Sequence, residues 1–406
     1  MTTTRTLAVI GASLAGAKAA EAARHAGFDG RVVLIGDEPG PPYERPPLSK
    51  DILRGDKDTD AARVHPDGFY AERSIELVHD RAVTFDAEAR TVGLAGGETV
   101  SFDAAVLATG AAPRRLDVPG ADLDGVHYLR TIGDSVRLRD AIRSAGRVAV
   151  IGAGWIGSEV AASARQMGAE VVLVDPAPVP LQRVLGDDIG AVFRQLHADH
   201  GVHLRLGTGV AELRGAKSVE EVVLGDGRVE AADVVVVGVG VTPRTDLADA
   251  AGLKVDNGIM VDEHLATGVP GIFAAGDVAN AFHPHYGHHL RVEHWANALN
   301  QGITAGRNAA GSDDTYTRLP YFFSDQYDLG MEYVGHGDGS DPVVVRGDRE
   351  AREFIAFWHR DGIVAAAMNV NVWDVVEDLK ALIESRTPVD PARLVDPDVP
   401  LSELPR

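Results

Sequence analysis

Two short glycine runs carry the first chemistry in this chain. Gly11-Ala-Ser-Leu-Ala-Gly16 follows the apolar run Leu7 to Ile10, and Gly152-Ala-Gly154-Trp-Ile-Gly157 follows Arg147 to Ile151. Each run then opens a helical stretch, the first to about His25 and the second to about Met167, with Gly27 and Gly168 placed to end them. A turn of this kind brings backbone close to a phosphate and aims helix N–H groups at its charge. An acid stands past the following strand in both cases, Asp37 after Arg31 to Ile35 and Asp175 after Glu170 to Val174. About 20 residues beyond the turn is where a carboxylate meets ribose hydroxyls. The pattern is that of two dinucleotide sites. The second run has all three glycines. In the first, Ser13 holds the middle glycine position, and an ordinary glycine-containing turn is the alternative there.

The elements around these turns predict a fold. Asp103 to Thr109 runs into Gly110, Ala232 to Val237 into Gly238-Val-Gly240, and Ile272 to Ala275 into Gly276-Asp277. Strands that end in glycine are expected where the carboxyl edge of a parallel sheet meets a ligand. Turns at Gly96-Gly97, Asp226-Gly227 and Asn257-Gly258 predict antiparallel hairpins attached to each unit. The expected class is α/β, with two Rossmann-like domains and a C-terminal α+β domain. Val343 to Val345 and Phe354 to Trp358 are expected as strands, Asp374 to Ile383 as a helix, and the last twenty residues as a wrapped tail.

Composition removes whole classes of function. The chain has 406 residues, enough for two or three domains. A net charge of −21 opposes nucleic-acid binding, because phosphate backbones attract basic surfaces. There is no cysteine, so disulfide chemistry, thiolate metal sites and cysteine nucleophiles are excluded from these residues. No apolar run nears the roughly 20 residues of a membrane span. The early first strand leaves no room for a signal peptide, and a cytoplasmic protein is expected.

Further strings make the chain resemble a known family. These are Tyr43-Glu-Arg-Pro-Pro-Leu-Ser-Lys50, Ala108-Thr-Gly110, Gly276-Asp277, Arg291-Val-Glu-His-Trp295-Ala-Asn297 and Pro320-Tyr-Phe-Phe-Ser-Asp-Gln326, in that order with the two glycine turns. Over essentially its whole length the chain resembles the FAD-dependent NADH:ferredoxin reductases of the putidaredoxin reductase and dioxygenase ferredoxin reductase family. The resemblance implies a glutathione-reductase-like fold. An FAD domain would be split over 1–110 and 243–318, an NADH domain would take 111–242, and a C-terminal domain 319–406. It also implies FAD and NADH as cofactors and a small iron–sulfur ferredoxin as partner, which serves a cytochrome P450 or a ring-hydroxylating dioxygenase. NADH gives electrons in pairs as hydride and a ferredoxin takes them singly; a flavin converts one to the other.

Site residues follow from the same resemblance. FAD would be held by Gly11, Ser13, Leu14, Ala15, Gly16, Asp37, Arg45, Pro46, Lys50, Val83, Ala108, Thr109, Gly110, Arg130, Gly276, Asp277, Glu293, His294 and Trp295. NADH would be held by Gly152, Gly154, Trp155, Ile156, Gly157, Glu159, Asp175, Arg183, Gly238 and Gly240. Lys50 would stand near flavin N5 with the Glu159 carboxylate beside it, and these two would be catalytic. Apart from the resemblance, Glu159 is a solvated first-turn acid, Lys50 a surface lysine and Asp277 a helix cap. Asp175, with no basic residue directly after it, predicts NADH over NADPH.

His283, His285, His288, His289 and His294 fall close together, but Pro284 and Gly287 make the stretch a loop without helical ligand spacing, and no metal site is expected. His294 would join the flavin pocket, the others lying exposed. Docking of an acidic ferredoxin against a chain of this charge needs a local basic patch, for which Arg137, Arg139, Arg143 and Arg307 are candidates, with Tyr321-Phe322-Phe323 bordering the flavin. No membrane partner is expected, and the oligomeric state would be monomer or weak homodimer. Competing functions are a rubredoxin reductase, an NADH oxidase, and an NADH-sensing flavoprotein of the apoptosis-inducing-factor type.

Overall fold

The protein, seen as a computed structural model, is described over residues 5–405. It divides into two compact units, one of Met1–Glu44, Asp60–Ala112 and Thr242–Pro320, the other of Arg45–Thr59, Pro113–Val241 and Tyr321–Arg406.

The first unit is built on a parallel sheet ordered Ile272–Ala274, Ala104–Leu107, Thr6–Ile10, Arg31–Gly36, Ile75–His79. Its central strands are buried on both faces, which explains why they read as unbroken apolar runs rather than alternating ones. The helix Leu14–His25 lies against the helix Trp295–Ala309 with almost no side chain between them. A Cβ on Gly302 would collide with the Ala15 carbonyl oxygen, and one on Gly306 with that of Ala19. A meander of Ala82–Asp86, Thr91–Leu94 and Thr99–Ser101 forms the antiparallel attachment predicted around Gly96-Gly97.

The second unit repeats the plan. Its parallel sheet runs His203–Leu206, Glu170–Asp175, Arg147–Ile151, Val234–Val237, Val126–Tyr128. The hairpin at Asp226-Gly227 joins Glu221–Leu224 to Val229–Ala231 as predicted. At Asn257-Gly258 in the first unit the outcome differs. A single antiparallel bridge, Val255 to Ile259, closes that turn, and the strand Ile259–Val261 then pairs in parallel with Ala279–His283.

The C-terminal residues add an antiparallel sheet to the second unit, ordered Tyr321–Gln326, Leu329–Gly335, Ile363–Val370, Glu353–Arg360, Val343–Asp348. Leu185, Ile189, Phe193 and Leu196 of the helix Gln182–Asp199 share one core with Phe322, Met331, Phe354 and Trp358 of that sheet. This common core is why the C-terminal sheet and the second Rossmann sheet cluster together. The segment Arg45–Thr59 joins the same unit through Leu53, buried with Leu138, Ile142 and Val148. The helix expected from Asp374 forms as Val376–Ser385. The tail is more than wrapped chain: Pro391–Val395 is helical, Leu394 and Leu404 are buried, and Arg346 donates to the Pro397 carbonyl at 3.0 Å.

Candidate functional site

Each glycine turn sits at the carboxyl end of the central strand of its sheet. In the first unit the Gly11 N–H donates to Ile35 O at 2.8 Å, and Ala108 N–H to Ile10 O at 2.7 Å. In the second, Gly152 N–H donates to Val174 O at 2.8 Å, and Gly238 N–H to Ile151 O at 2.8 Å. The last glycine of each motif is required by space. A Cβ on Gly16 would strike the Gly11 carbonyl oxygen, and one on Gly157 that of Gly152.

The helix starts show what these turns are free to bind. Neither Leu14–His25 nor Trp155–Gln166 has a side-chain cap or an acid in its first turn. By contrast Ile132–Ser144 carries a full capping box from Thr131 and Asp134. Both glycine helices therefore keep their leading N–H groups and positive dipole ends for an external anion. A dinucleotide pyrophosphate fits both.

Around the first turn, Ser13 is extended at the N-cap, and Leu14, Ala15 and Gly16 are buried behind it. Asp37 is exposed just past its strand. The Thr109 hydroxyl, before Gly110, donates to Arg244 O at 2.7 Å. The Gly276 N–H is held by Gln301 Oε1 at 2.9 Å. Asp277 lies inside a short 3-10 turn, Gly276–Val278, whose N-cap is Ala275, so Asp277 is not a helix cap. Glu293 is exposed and pairs with the half-buried Arg291 at 2.5 Å. His294 is the N-cap of the helix that Trp295 begins. Val83 stands exposed on its strand.

Four of the expected flavin residues lie in the second unit: Arg45, Pro46, Lys50 and Arg130, with the Arg45 guanidinium donating to Arg130 O. Lys50 follows the 3-10 turn Pro46–Ser49. That turn is pinned by two buried hydroxyls, Ser135 Oγ donating to Leu48 O and Ser163 Oγ to Ser49 O, both at 2.7 Å. Lys50 Nζ pairs with Glu159 Oε2 at 2.8 Å, and their side chains are 10% and 5% exposed. Neither residue is the solvated surface group that its type alone suggests. Ser49 Oγ donates to Glu159 Oε2 at 2.5 Å and Ser324 Oγ to Oε1 at 2.8 Å, so the carboxylate is fixed from both sides. Beside them, loss of hydration pushes the Asp325 carboxyl up, with Lys50 opposing and Glu159 adding to the shift. The sequence motif Phe-Ser-Asp-Gln contains Ser324 and Asp325, yet the pairing of Ser324 with Glu159 across 165 residues has no local signal.

Around the second turn, Gly154 opens on clear space and Ile156 is exposed. Trp155 packs edge-on to Phe322 at 4.6 Å between ring centres. Asp175 accepts from Ala153 N–H at 2.6 Å and Ala177 N–H at 2.8 Å, one donor on each oxygen. Each oxygen thus keeps a lone pair for a ribose hydroxyl. Arg183 and Gly240 are exposed and Gly238 half-buried. Among the described residues no three His, Asp or Glu side chains are arranged to hold a metal, and no helix is long and apolar enough to cross a membrane. The histidine stretch is a hairpin, Ala279–His283 against His288–Leu290, and His283 is buried with a ring nitrogen 3.0 Å from Arg318 O, not exposed as expected. The candidate docking arginines are mostly neutralised: Arg137 pairs with Asp134 at 2.5 Å, Arg139 with Asp140 at 3.3 Å and Arg307 with Asp314 at 2.5 Å.

The duplicated glycine turns define a double dinucleotide-binding oxidoreductase, and the chain belongs to the pyridine nucleotide-disulphide oxidoreductase family, whose model matches residues 5–302. A reductase C-terminal domain matches residues 321–405. Members of this family use FAD and NAD(H). The chain is 40% identical to the anthranilate 1,2-dioxygenase system ferredoxin–NAD(+) reductase component of Burkholderia cepacia, covering 97% of each chain. It is similar to the ferredoxin reductase for the CYP199A2 system of Rhodopseudomonas palustris, with a TM-score of 0.95, 38% identity, and coverage of 98% of this chain and 99% of the other. The covalent putidaredoxin reductase–putidaredoxin complex matches at a TM-score of 0.94 and 34% identity, covering 98% of this chain and 97% of that one.

Proposed function

We infer that this protein is an NADH-dependent, FAD-containing ferredoxin reductase serving a P450 or a ring-hydroxylating dioxygenase. The observation that carries this reading is the absence of cysteine from a chain of the disulphide oxidoreductase family. Electrons taken from NADH find no thiol pair in these residues and must leave for a separate acceptor. FAD supplies the conversion from hydride to single electrons when bound. The chain's own residues bind and orient. The uncapped helix starts receive the two pyrophosphates, Asp37 and Asp175 accept from the ribose hydroxyls, and Lys50, oriented by Glu159, supplies positive charge for the hydride-transfer step.

The test is a purified yellow protein with one FAD per chain that reduces cytochrome c rapidly from NADH only when an iron–sulfur ferredoxin is added. Fast turnover with oxygen alone would favour an oxidase instead. Since three of the four candidate arginines carry acidic partners, we place the docking contribution on Arg143, whose guanidinium donates to Arg54 O at 3.2 Å. Ferredoxin-dependent turnover should then fall with salt while flavin reduction by NADH holds steady, because screening acts within roughly 10 Å at 0.1 M salt. We further propose a cytoplasmic monomer or weak homodimer, checked by cell fractionation and sedimentation.

Asp175 sets the cofactor preference. A 2′-phosphate would be brought against a carboxylate already fixed by two N–H donors. NADH should be favoured over NADPH by about a hundredfold in kcat/KM, and Asp175→Ala should narrow that gap to about tenfold or less. Equal kcat/KM for both cofactors in the unaltered protein would overturn the assignment.

A further inference from the structure

The helix Gln182–Asp199 is broken near its start. Gly186 has φ 75° and ψ −178°, which sets residues 182–185 apart as a single turn. Leu181, just before, is left-handed with φ 59°. Three contacts fix this turn. The Leu181 N–H donates to Ala153 O of the second glycine turn at 2.9 Å. Leu181 and Leu185 are buried in the core shared with the C-terminal sheet. Finally, Gly339, in the loop after the strand Leu329–Gly335, lies backbone against backbone on the same turn. A Cβ on Gly186 would come 2.5 Å from Gly339 O, and one on Gly339 would come 2.9 Å from Arg183 O.

The Gly339 loop is itself tied by internal hydrogen bonds and an ion pair. Asp338 Oδ1 accepts from the Ser340 N–H at 2.8 Å and from its hydroxyl at 2.7 Å, Asp341 N–H donates to Asp338 O at 2.8 Å, and Arg360 pairs with Asp341 at 2.5 Å. The side chain this construction presents is Arg183. It is exposed, makes no ion pair among the described residues, and stands two residues from the bond that ties Leu181 to the glycine turn.

We propose that Gly186 and Gly339 are positioning residues for NADH binding. Their close backbone packing lets the C-terminal sheet hold Arg183 where it meets the anionic part of the nicotinamide cofactor. The inference rests on reading the second glycine turn as the NADH site. A cation held ready loses little freedom on binding, whereas one on a loosened turn must be ordered by the ligand. Gly186 tolerates no side chain at its φ, and Gly339 has no room for one, so substitution on either side displaces the turn.

The experiment titrates the FAD-loaded protein with NAD+ by calorimetry and follows its reduction by NADH in stopped flow. Arg183→Ala and Gly339→Ala should each weaken NAD+ by about tenfold, with the limiting reduction rate changed less than about twofold, and the double variant should be no weaker than Arg183→Ala. Asp338→Ala, which releases the loop without adding an atom, should weaken NAD+ about threefold and decides the matter if Gly339→Ala does not fold. Unchanged NAD+ affinity in both loop variants, or a double variant whose losses add, overturns the positioning role even when Arg183→Ala itself binds weakly. An unaltered protein that binds no NAD+ instead overturns the reading of the turn.

Discussion

Lys50→Ala is expected to slow reduction of bound FAD by NADH about a hundredfold, the size of effect seen when a preorganised electrostatic group is removed. The expectation starts from burial. An ammonium whose side chain is 10% exposed loses most of its hydration, and the protein replaces it with a carboxylate 2.8 Å away. That carboxylate is held by the Ser49 and Ser324 hydroxyls, so neither charge needs to reorganise when the substrate's charge moves. Glu159→Ala is a poorer probe than Lys50→Ala, because it strips a buried ammonium of its carboxylate at a cost of about 3–5 kcal/mol, whereas the carboxylate left by Lys50→Ala keeps its two serine donors. Glu159→Gln is better. Its carbonyl oxygen still accepts from Lys50 and Ser49, and its amide donates to Ser324. This variant should slow reduction about tenfold with FAD retained, and combining it with Lys50→Ala should add little, since the two act as one device. Stopped-flow reduction rates unchanged in both single variants would remove the pair from the reaction.

The two βαβ starts were legible because their causes are local. A strand buried on both faces reads as a continuous apolar run, and the steric demand at Gly16 and Gly157 comes from carbonyls five residues earlier. The close approach of two helices also left a trace, Ala15 and Ala19 against Gly302 and Gly306, although nothing in one sequence says which helix meets which. Lys50 and Glu159 were reached through resemblance alone. Their types suggest surface residues, and the contacts that hold the pair inside come from distant parts of the chain: Ser135 and Ser163 fix the turn before Lys50, and Ser324 holds the Glu159 carboxylate. The break at Gly186 was hidden for the same reason. Its cause is Gly339, more than a hundred residues on, and a glycine in a helical pattern is otherwise a mild cost. The alliance of the helix Gln182–Asp199 with the C-terminal sheet likewise depends on Phe193 meeting Trp358 and Phe354 in one core.

That same helix is expected to make stability sensitive to acid. His197 is fully buried near its end, 3.3 Å from the Tyr327 hydroxyl, while His200 stacks on the Tyr327 ring at 3.7 Å. Burial pushes the His197 imidazole down from 6.5 to about 4; the Gln326 side chain, as an acceptor for the charged ring, opposes the shift and the charge of His200 adds to it. Above the unfolded value both states are neutral, and this group gives no pH dependence. As pH falls from about 6.5 to about 4, the unfolded chain binds a proton that the native chain refuses, so native stability drops throughout that window. The total is on the order of 3 kcal/mol, a factor of a hundred or more in the folded population. His65, His127 and His283 are also depressed by burial, so the absolute acid slope belongs to several groups. The difference between the protein and His197→Gln isolates one of them. Three of the four tryptophans, Trp155, Trp358 and Trp373, lie in the unit that contains His197, and their fluorescence reports its unfolding. The variant starts from its own stability at neutral pH, lower by whatever its packing costs, and should then lose about 1.4 kcal/mol less per pH unit than the parent in the middle of the window. Urea unfolding curves that fall in parallel for the two proteins from about pH 7 to about pH 4 would show that His197 is protonated in the native state as readily as in the unfolded one, and that its burial carries no acid penalty.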